Sequence, residues 1–265
     1  MPELPEVEAA RKAALRSLTG RRIVAAACFP DSIVLGGTSP KFIEKALRGA
    51  TVRNAGRFGK HLWFELDRKP WPVFHFGMTG AFKFYTALEK APRFLKLELQ
   101  LDNGARFAFT DPRRFGRLRL AFDPRNEPPL NRLGHDPFFA LPSAAQLAVE
   151  IGSRKAPIKA VLLDQTTFAG VGNWIADEVL YQAGIAPQRV AANLSKAEIA
   201  RLRTTLLRVI RRAVSVDADS DRFPTTWLFH RRWGRVKGSK TLEGHDIVHD
   251  TVGGRTTAWV PTRQR

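Results

Sequence analysis

Pro2 and Glu3 open a chain that begins MPELPEVEAA, with Pro5 and Glu6 close behind. Proline suits the first turn of a helix, where its missing N–H costs nothing, and carboxylates there complement the positive end of the helix dipole. Those preferences explain the residue types but not their place at the terminus. Once Met1 is removed, Pro2 presents a secondary amine, and an α-amino group titrates at about 7.7 to 8.0 before any perturbation. Such an amine is partly unprotonated at neutral pH, unlike a lysine. It can attack an electrophilic carbon and form an iminium that acts as an electron sink. Glu3 beside it can serve as general acid or base.

Three further stretches suit the same chemistry: GRFGKHL around Lys60, GVGNWIADE around Asn173 and GGRTTAWVP around Arg255. Taken singly, each has an ordinary reading. Lys60 could be a surface lysine, GVGN a glycine turn before a helix, and Arg255 a solvated strand arginine. Taken together, they describe a grip on a polyanion. Gly170, Gly172 and Asn173 precede the periodic run WIADEVL, so N–H groups at a helix N-terminus are expected to form a phosphate seat. DPRRFG adds two arginines and Phe115 on a loop between strands, and an exposed phenylalanine there could wedge into a base stack. The alternative is that Phe115 belongs to the core.

The elements that must position these residues fall into two periodicities. From Arg22 to about Leu120 the pattern alternates: FLKLELQLDNG sets Leu95, Leu97, Leu99 and Leu101 on one face and ends in an Asn-Gly turn signal. KHLWFEL, PVFHF and AFKFY read as further strands, giving an antiparallel sandwich. Before it, Val7, Ala10, Ala14, Leu15 and Leu18 form the stripe of a helix that stops at Gly20. DPRNEPPLNRLGHDP reads as an interdomain connection. Beyond it, SKAEIARLRTTLLRVIRRAV has Ser195 and Glu198 in capping-box spacing and a buried stripe from Ile199 to Ala213, with arginines on its remaining faces. The tail reads as a β-hairpin, with the glycine pair before Arg255 as its turn.

Bulk composition supports a nucleic-acid partner. The chain has 265 residues, 43 Lys plus Arg against 25 Asp plus Glu, and a formal net charge of +18. A field of that sign attracts polyanions. No apolar run approaches the roughly 20 residues a membrane-spanning helix needs, and no basic-then-apolar leader is visible, so a cytosolic protein without a membrane role is expected. Cys28 is the single cysteine. It is read as a buried structural thiol, and neither a disulfide nor a multi-thiolate zinc site can be built. His245 and His249 are spaced four apart but read as strand and turn, so no metal and no cofactor are expected.

PELPEVE, GK in the first sheet, HFGMTG, DPRRFG and GVGNWIADE occur in this order along nearly the whole chain, which resembles the formamidopyrimidine-DNA glycosylase/endonuclease VIII family. The resemblance implies an α+β fold. Its parts are an N-terminal helix plus antiparallel β-sandwich over 1–124, a linker over 125–142, a helical helix-two-turn-helix domain over 143–220 and a C-terminal β-hairpin finger over 221–265. It implies a bifunctional DNA glycosylase and AP lyase acting on double-stranded damaged DNA, in bacterial cytoplasm or a eukaryotic nucleus; a monomer is expected as the simpler case, since one chain supplies both walls of a cleft. Pro2 matches the Schiff-base nucleophile, Glu3 the acid that opens the deoxyribose, and Lys60 the lysine that contacts phosphate and assists β-elimination. Asn173 matches the phosphate-binding asparagine, and Glu6 and Glu178 match supporting carboxylates. Met78, Arg113 and Phe115 match the residues that fill the space left by the everted nucleotide. Arg114, Lys155, Lys159 and His75 match DNA contacts. Eversion is needed because the glycosidic carbon is unreachable inside a stacked duplex.

Three departures qualify the resemblance. Typical bacterial members end in a four-cysteine zinc finger, whereas this tail resembles the zincless finger of the plant and fungal branch, with Arg255 at its tip and packing expected from Trp233, Val248, Trp259 and Val260. VDADSDRFPTTWLFHRRWG lacks the loop that closes over 8-oxoguanine in many bacterial enzymes. Activity is therefore expected on formamidopyrimidines and hydantoins, and weakly on 8-oxoguanine. APRFLKL has no histidine where many relatives carry a DNA-contacting one. Two other readings use parts of the pattern. A non-catalytic binder of damaged or bent DNA fits the charge but gives no reason for Pro2, Glu3 and Lys60 together. An N-terminal-proline tautomerase fits the amine but leaves the DNA-gripping half unexplained.

Overall fold

The structure is a computed structural model that describes residues 2–233 and 238–265. The chain divides into two compact units, one comprising Pro2 and Glu6–Arg132 and the other Glu3–Pro5 and Leu133–Arg265.

Helix α1 (Leu4–Leu18), which belongs to the first unit from Glu6 on, precedes that unit's eight strands. These are β1 (Ile23–Cys28), β2 (Val52–Phe58), β3 (His61–Leu66), β4 (Trp71–His75), β5 (Ala81–Thr86), β6 (Leu95–Leu101), β7 (Ala105–Thr110) and β8 (Arg117–Ala121). They form two four-stranded antiparallel sheets, ordered β1-β6-β7-β5 and β2-β3-β4-β8. The alternation in β6 does what its sequence predicts: Leu97, Leu99 and Leu101 are buried and Leu95 partly so. Phe64 and Phe74 of one sheet meet Phe82, Phe107 and Phe109 of the other, with ring centroids 5.0 to 6.1 Å apart, the spacing of tilted and edge-on aromatic packing. Val7, Ala14 and Leu18 of α1 join this core. One element departs from the strand pattern: helix α2 (Pro40–Leu47) lies within the β-rich half, with proline in its first turn and Ile43 and Leu47 buried. Cys28 is buried and free, and burial pushes its thiol up to about 12.

The second unit contains α3 (Ala144–Gly152), α4 (Ile158–Leu163), α5 (Asn173–Ala183) and α6 (Lys196–Ser215), followed by the hairpin strands β9 (Val248–Val252) and β10 (Arg255–Trp259). Both halves of the predicted capping box are made: Ser195 N donates to Glu198 Oε2 at 2.8 Å and Glu198 N to Ser195 Oγ at 3.3 Å. The stripe from Ile199 to Ala213 is buried against α5 and α3. Arginines on the other faces of α6 do more than face solvent: Arg201 Nε donates to Ala183 O and Arg203 Nε to Pro142 O.

The hairpin belongs to the second unit rather than forming a body of its own. Its packing differs from expectation. Trp233 is 53% exposed and Val248 37%, while Tyr181, Leu228, Ile247, Ala258 and Val260 form the buried cluster that seats it on α5. Among the described residues no group of three or more His, Cys, Asp or Glu has metal-holding geometry, and no helix is long and apolar enough to cross a membrane.

Candidate active site

The second unit holds the carboxylate next to Pro2. Glu3 is 2% exposed; Oε1 accepts the Trp174 N–H at 2.9 Å and Oε2 the Ile175 N–H at 3.2 Å. These N–H groups belong to the first turn of α5, whose N-cap, Gly172, has no side chain to satisfy them. Glu3 therefore caps the helix, and its negative charge meets the positive end of the dipole. A Cβ on Gly172 would fall 2.2 Å from Glu3 Cδ, so only glycine admits this contact. Leu4 N donates to Gly170 O at 3.0 Å, fixing the backbone behind Glu3. The expectation that these helix-end donors form an open phosphate seat is thus corrected, because two of them are filled by the chain's own carboxylate.

Asn173, at the first position of α5, donates Nδ2–H to Thr256 O at 2.9 Å, while its Oδ1 is buried without a hydrogen-bond partner. Thr256 is one of three consecutive β10 residues pinned to the helices. Lys159 Nζ donates to Thr256 O at 3.1 Å and to Thr257 Oγ1 at 2.7 Å, and Ala258 N donates to Asp177 Oδ2 at 3.2 Å. Asp177 is the hub. Its Oδ1, which takes no well-aligned hydrogen bond, lies 2.6 Å from Lys159 Nζ, and its Oδ2 lies 2.6 Å from Arg232 Nη2. Lys159 is 0% exposed, so the expected phosphate contact is instead a buried brace; Lys155 is exposed, as that role requires. Burial lowers the Lys159 amine, with Asp177 and Glu3 opposing that shift. The brace sets the strand that begins with exposed Arg255. Neither Asp177 nor Arg232 was singled out from sequence.

Glu178, one residue beyond the hub, is fully buried. It accepts Gln182 Nε2–H at 2.6 Å and Phe229 N–H at 2.8 Å, and burial raises its carboxyl to about 7. It holds the turn around Phe229 to α5, so its support of the site is indirect.

The first unit carries Lys60, His75 and the residues expected to fill the DNA stack. Lys60 lies in the turn between β2 and β3. Arg57, itself buried, donates to Gly59 O at 3.0 Å and pairs with Glu8 at 2.8 Å, tying that turn to α1. Burial would raise the Glu8 carboxyl, but hydrogen bonds from Arg11 and Arg57 prevail and hold it below the usual range. Glu6 lies partly buried on α1.

Met78 and Phe115 are 40% and 49% exposed, and the Arg113 guanidinium sits 5.0 Å from the Phe115 ring. Phe115 is therefore not part of the core. Buried Asp111 organises both loops: Oδ2 accepts the Gly116 N–H at 2.6 Å and Oδ1 the Thr79 hydroxyl at 2.7 Å. Gly77 has φ +58°, and a Cβ there would meet the Phe115 backbone at 2.3 Å. Glycine is required at that crossing. Arg114 is half exposed and pairs with Asp31 at 2.9 Å. The Asp31 carboxyl is held well below the usual range: burial would raise it, but hydrogen bonds from Arg114 and Lys96 outweigh that. Asp111 and Thr79 lay inside quoted motifs, DPRRFG and HFGMTG, but only the fold shows them bonded.

Comparison with known proteins agrees with both units. Residues 1–118 match the model of the formamidopyrimidine-DNA glycosylase N-terminal domain, and residues 133–225 that of the formamidopyrimidine-DNA glycosylase H2TH domain. A formamidopyrimidine-DNA glycosylase of Arabidopsis thaliana is 41% identical over 278 residues, covering 100% of this chain and 71% of the relative. One from Desulfitobacterium hafniense is 34% identical, covering 100% of both chains. Among solved structures, a Lactococcus lactis Fpg mutant in complex with Fapy-dG-containing DNA superposes with a TM-score of 0.88 at 26% identity, covering 100% of both chains.

Proposed function

The chain belongs to the formamidopyrimidine-DNA glycosylase family, and from that premise we propose that it removes oxidised bases from double-stranded DNA through a Schiff base at Pro2 and then cleaves the abasic strand. The observation that carries the proposal is Glu3: a buried carboxylate adjoining Pro2 in the chain and fixed by the α5 N–H groups. Its rigidity suits a group that must receive and return one proton at a set place.

In the proposed reaction the unprotonated Pro2 nitrogen attacks C1′, the glycosidic C1′–N bond breaks, and the base leaves with the electron pair and takes a proton. The Pro2 nitrogen, now bonded to C1′, gives its proton to Glu3, which passes it to O4′ as the C1′–O4′ bond opens. The product is an iminium. Loss of a C2′ proton then expels the 3′ phosphate, and a second elimination expels the 5′ phosphate, leaving a one-nucleotide gap. Lys60 assists the first elimination while contacting phosphate, Asn173 and Arg255 hold phosphates beside the lesion, and Met78, Arg113 and Phe115 occupy the vacated stack. Beyond these groups the steps draw only on water, which supplies the proton to the departing base and hydrolyses the final iminium to free Pro2, so no cofactor or metal is invoked, and a monomer suffices.

Formamidopyrimidines and hydantoins are the proposed substrates, with 8-oxoguanine poor. Phe223, Trp227 and Leu228 are buried in the segment after α6, and Phe223 and Trp227 pack with Trp174. A segment committed to the interior of its own unit is a weak candidate for a closing loop. Single-turnover excision on duplexes with each lesion tests this choice, and equal rates on all three would refute it.

A further inference from the structure

The loop that carries Arg113 and Phe115 turns on a backbone that its own sequence disfavours. Arg114, between the two, has φ +60°, the left-handed region in which a Cβ crowds the chain. Two carboxylates hold it there. From inside the loop, Asp111 Oδ2 accepts the Gly116 N–H at 2.6 Å and Oδ1 the Arg113 N–H at 3.3 Å. From outside, the Arg114 side chain lies as a fork on Asp31: Nε donates to Oδ2 at 2.9 Å and Nη2 to Oδ1 at 3.2 Å.

Asp31 is a fixed anchor for that fork. Its side chain is 4% exposed. Oδ1 accepts the N–H groups of Ile33 and Val34, both at 3.1 Å, and Oδ2 accepts from Lys96 Nζ at 2.8 Å. These bonds set the plane of the carboxylate independently of Arg114. Val34 O accepts the Leu118 N–H at 2.8 Å, so the Asp31 turn is also fastened to β8, the strand that leaves the loop. Lys96, on β6, lies two residues beyond Phe94, whose carbonyl accepts the Asp111 N–H at 3.0 Å. Asp31 therefore braces the chain on both sides of the loop. An exposed ion pair contributes little, whereas a two-bond fork on a buried, preset carboxylate fixes orientation as well as distance.

We propose that Asp31 is a positioning residue for stack filling: its grip on the Arg114 fork holds the left-handed turn that presents Arg113 and Phe115 together, the guanidinium 5.0 Å from the ring. Arg114 then acts as a latch within the protein rather than as the DNA contact that the resemblance implies. With the latch released the turn relaxes toward ordinary backbone, the two side chains part, and the space beside an everted nucleotide is filled more slowly. This rests on the stack-filling part of the proposed function and not on the Pro2 chemistry.

The test uses a duplex with 2-aminopurine opposite a non-cleavable abasic analogue, whose fluorescence reports entry of side chains into the stack without any chemistry. In stopped flow, entry should be at least about tenfold slower in Asp31→Asn than in the natural protein, the equivalent of one charge-assisted bond. Arg114→Gln should slow it similarly, and the double variant D31N/R114Q no further, since two residues acting through one contact do not add. Lys96→Met removes the other ion pair on Asp31 and leaves the fork, so entry should stay near the natural rate; a merely structural role would slow both alike. No entry signal in the natural protein, unslowed entry in Asp31→Asn, equal slowing in Lys96→Met, or losses that multiply in the double variant would overturn the proposal. Borohydride trapping on a cleavable abasic duplex separates the two claims. Entry without an adduct in the natural protein refutes the Schiff base and leaves the latch standing, whereas an adduct beside unslowed entry in Asp31→Asn refutes the latch alone.

Discussion

Glu3 shows how closely one residue can be specified. Its carboxylate fills the α5 N-terminus, and the glycine beside it leaves room for nothing else. Gly172→Ala must push Glu3 aside, and displacement of a reacting group by about 1 Å costs on the order of 100-fold. Excision in single turnover should fall by at least that factor while affinity for undamaged duplex changes much less; parallel losses would show that the position matters only for folding. Asn173→Ala should weaken binding to every duplex about equally, since the phosphate contact proposed for it carries no base information. Binding measured on several sequences checks this, and a base-dependent loss contradicts it. Such residues stand out in the sequence because their types are unusual where they stand: a proline and two glutamates near the start of a basic protein, and an asparagine behind two glycines. Lys159 was misread for the converse reason, since nothing local separates a braced lysine from the solvated majority.

At the scale of elements, β10 is held by charge as well as by packing. Lys159 and Arg232 converge on Asp177 beneath Thr256, Thr257 and Ala258. Removing one partner of a buried ion cluster costs about 3–5 kcal/mol because the remaining charge is stranded. Lys159→Met should therefore destabilise the protein by about that amount, read by urea unfolding through tryptophan fluorescence, and a change below about 1 kcal/mol would mean that the brace carries little. Glu178 gives a pH signature. Its folded value, about 7, lies above the ordinary 4.5, so its contribution to stability is fully present below about pH 4.5 and is lost as pH rises through about 7. The difference amounts to about 3 kcal/mol. Melting temperature should fall from pH 5 to pH 8 more steeply in the natural protein than in Glu178→Gln; parallel profiles would contradict the burial argument. Alternation foretold β6 and the capping box foretold α6, because both signals are local. Helix α2 escaped because eight residues between irregular turns and a strand carry too little periodicity. The bonds of Asp111 to Thr79 and of Lys159 to Thr257 join residues far apart in sequence, which no local pattern reports.

For the molecule as a whole, a net charge of +18 and a single cysteine make two demands. Affinity for duplex must fall steeply with salt as counterions are released. The hairpin must hold its shape through the cluster around Tyr181 and the Asp177 brace, so prolonged treatment with a strong zinc chelator should leave strand cleavage unchanged; loss restored by added zinc would refute a metal-independent finger. Everything proposed for the reaction converges on the Pro2 nitrogen. The most direct measurement is borohydride reduction of the protein on an abasic duplex, followed by peptide mapping. A covalent adduct at the Pro2 nitrogen, absent in Pro2→Gly, is the expected result. An adduct on another amine, or full activity in protein whose intact mass still includes Met1, would contradict it.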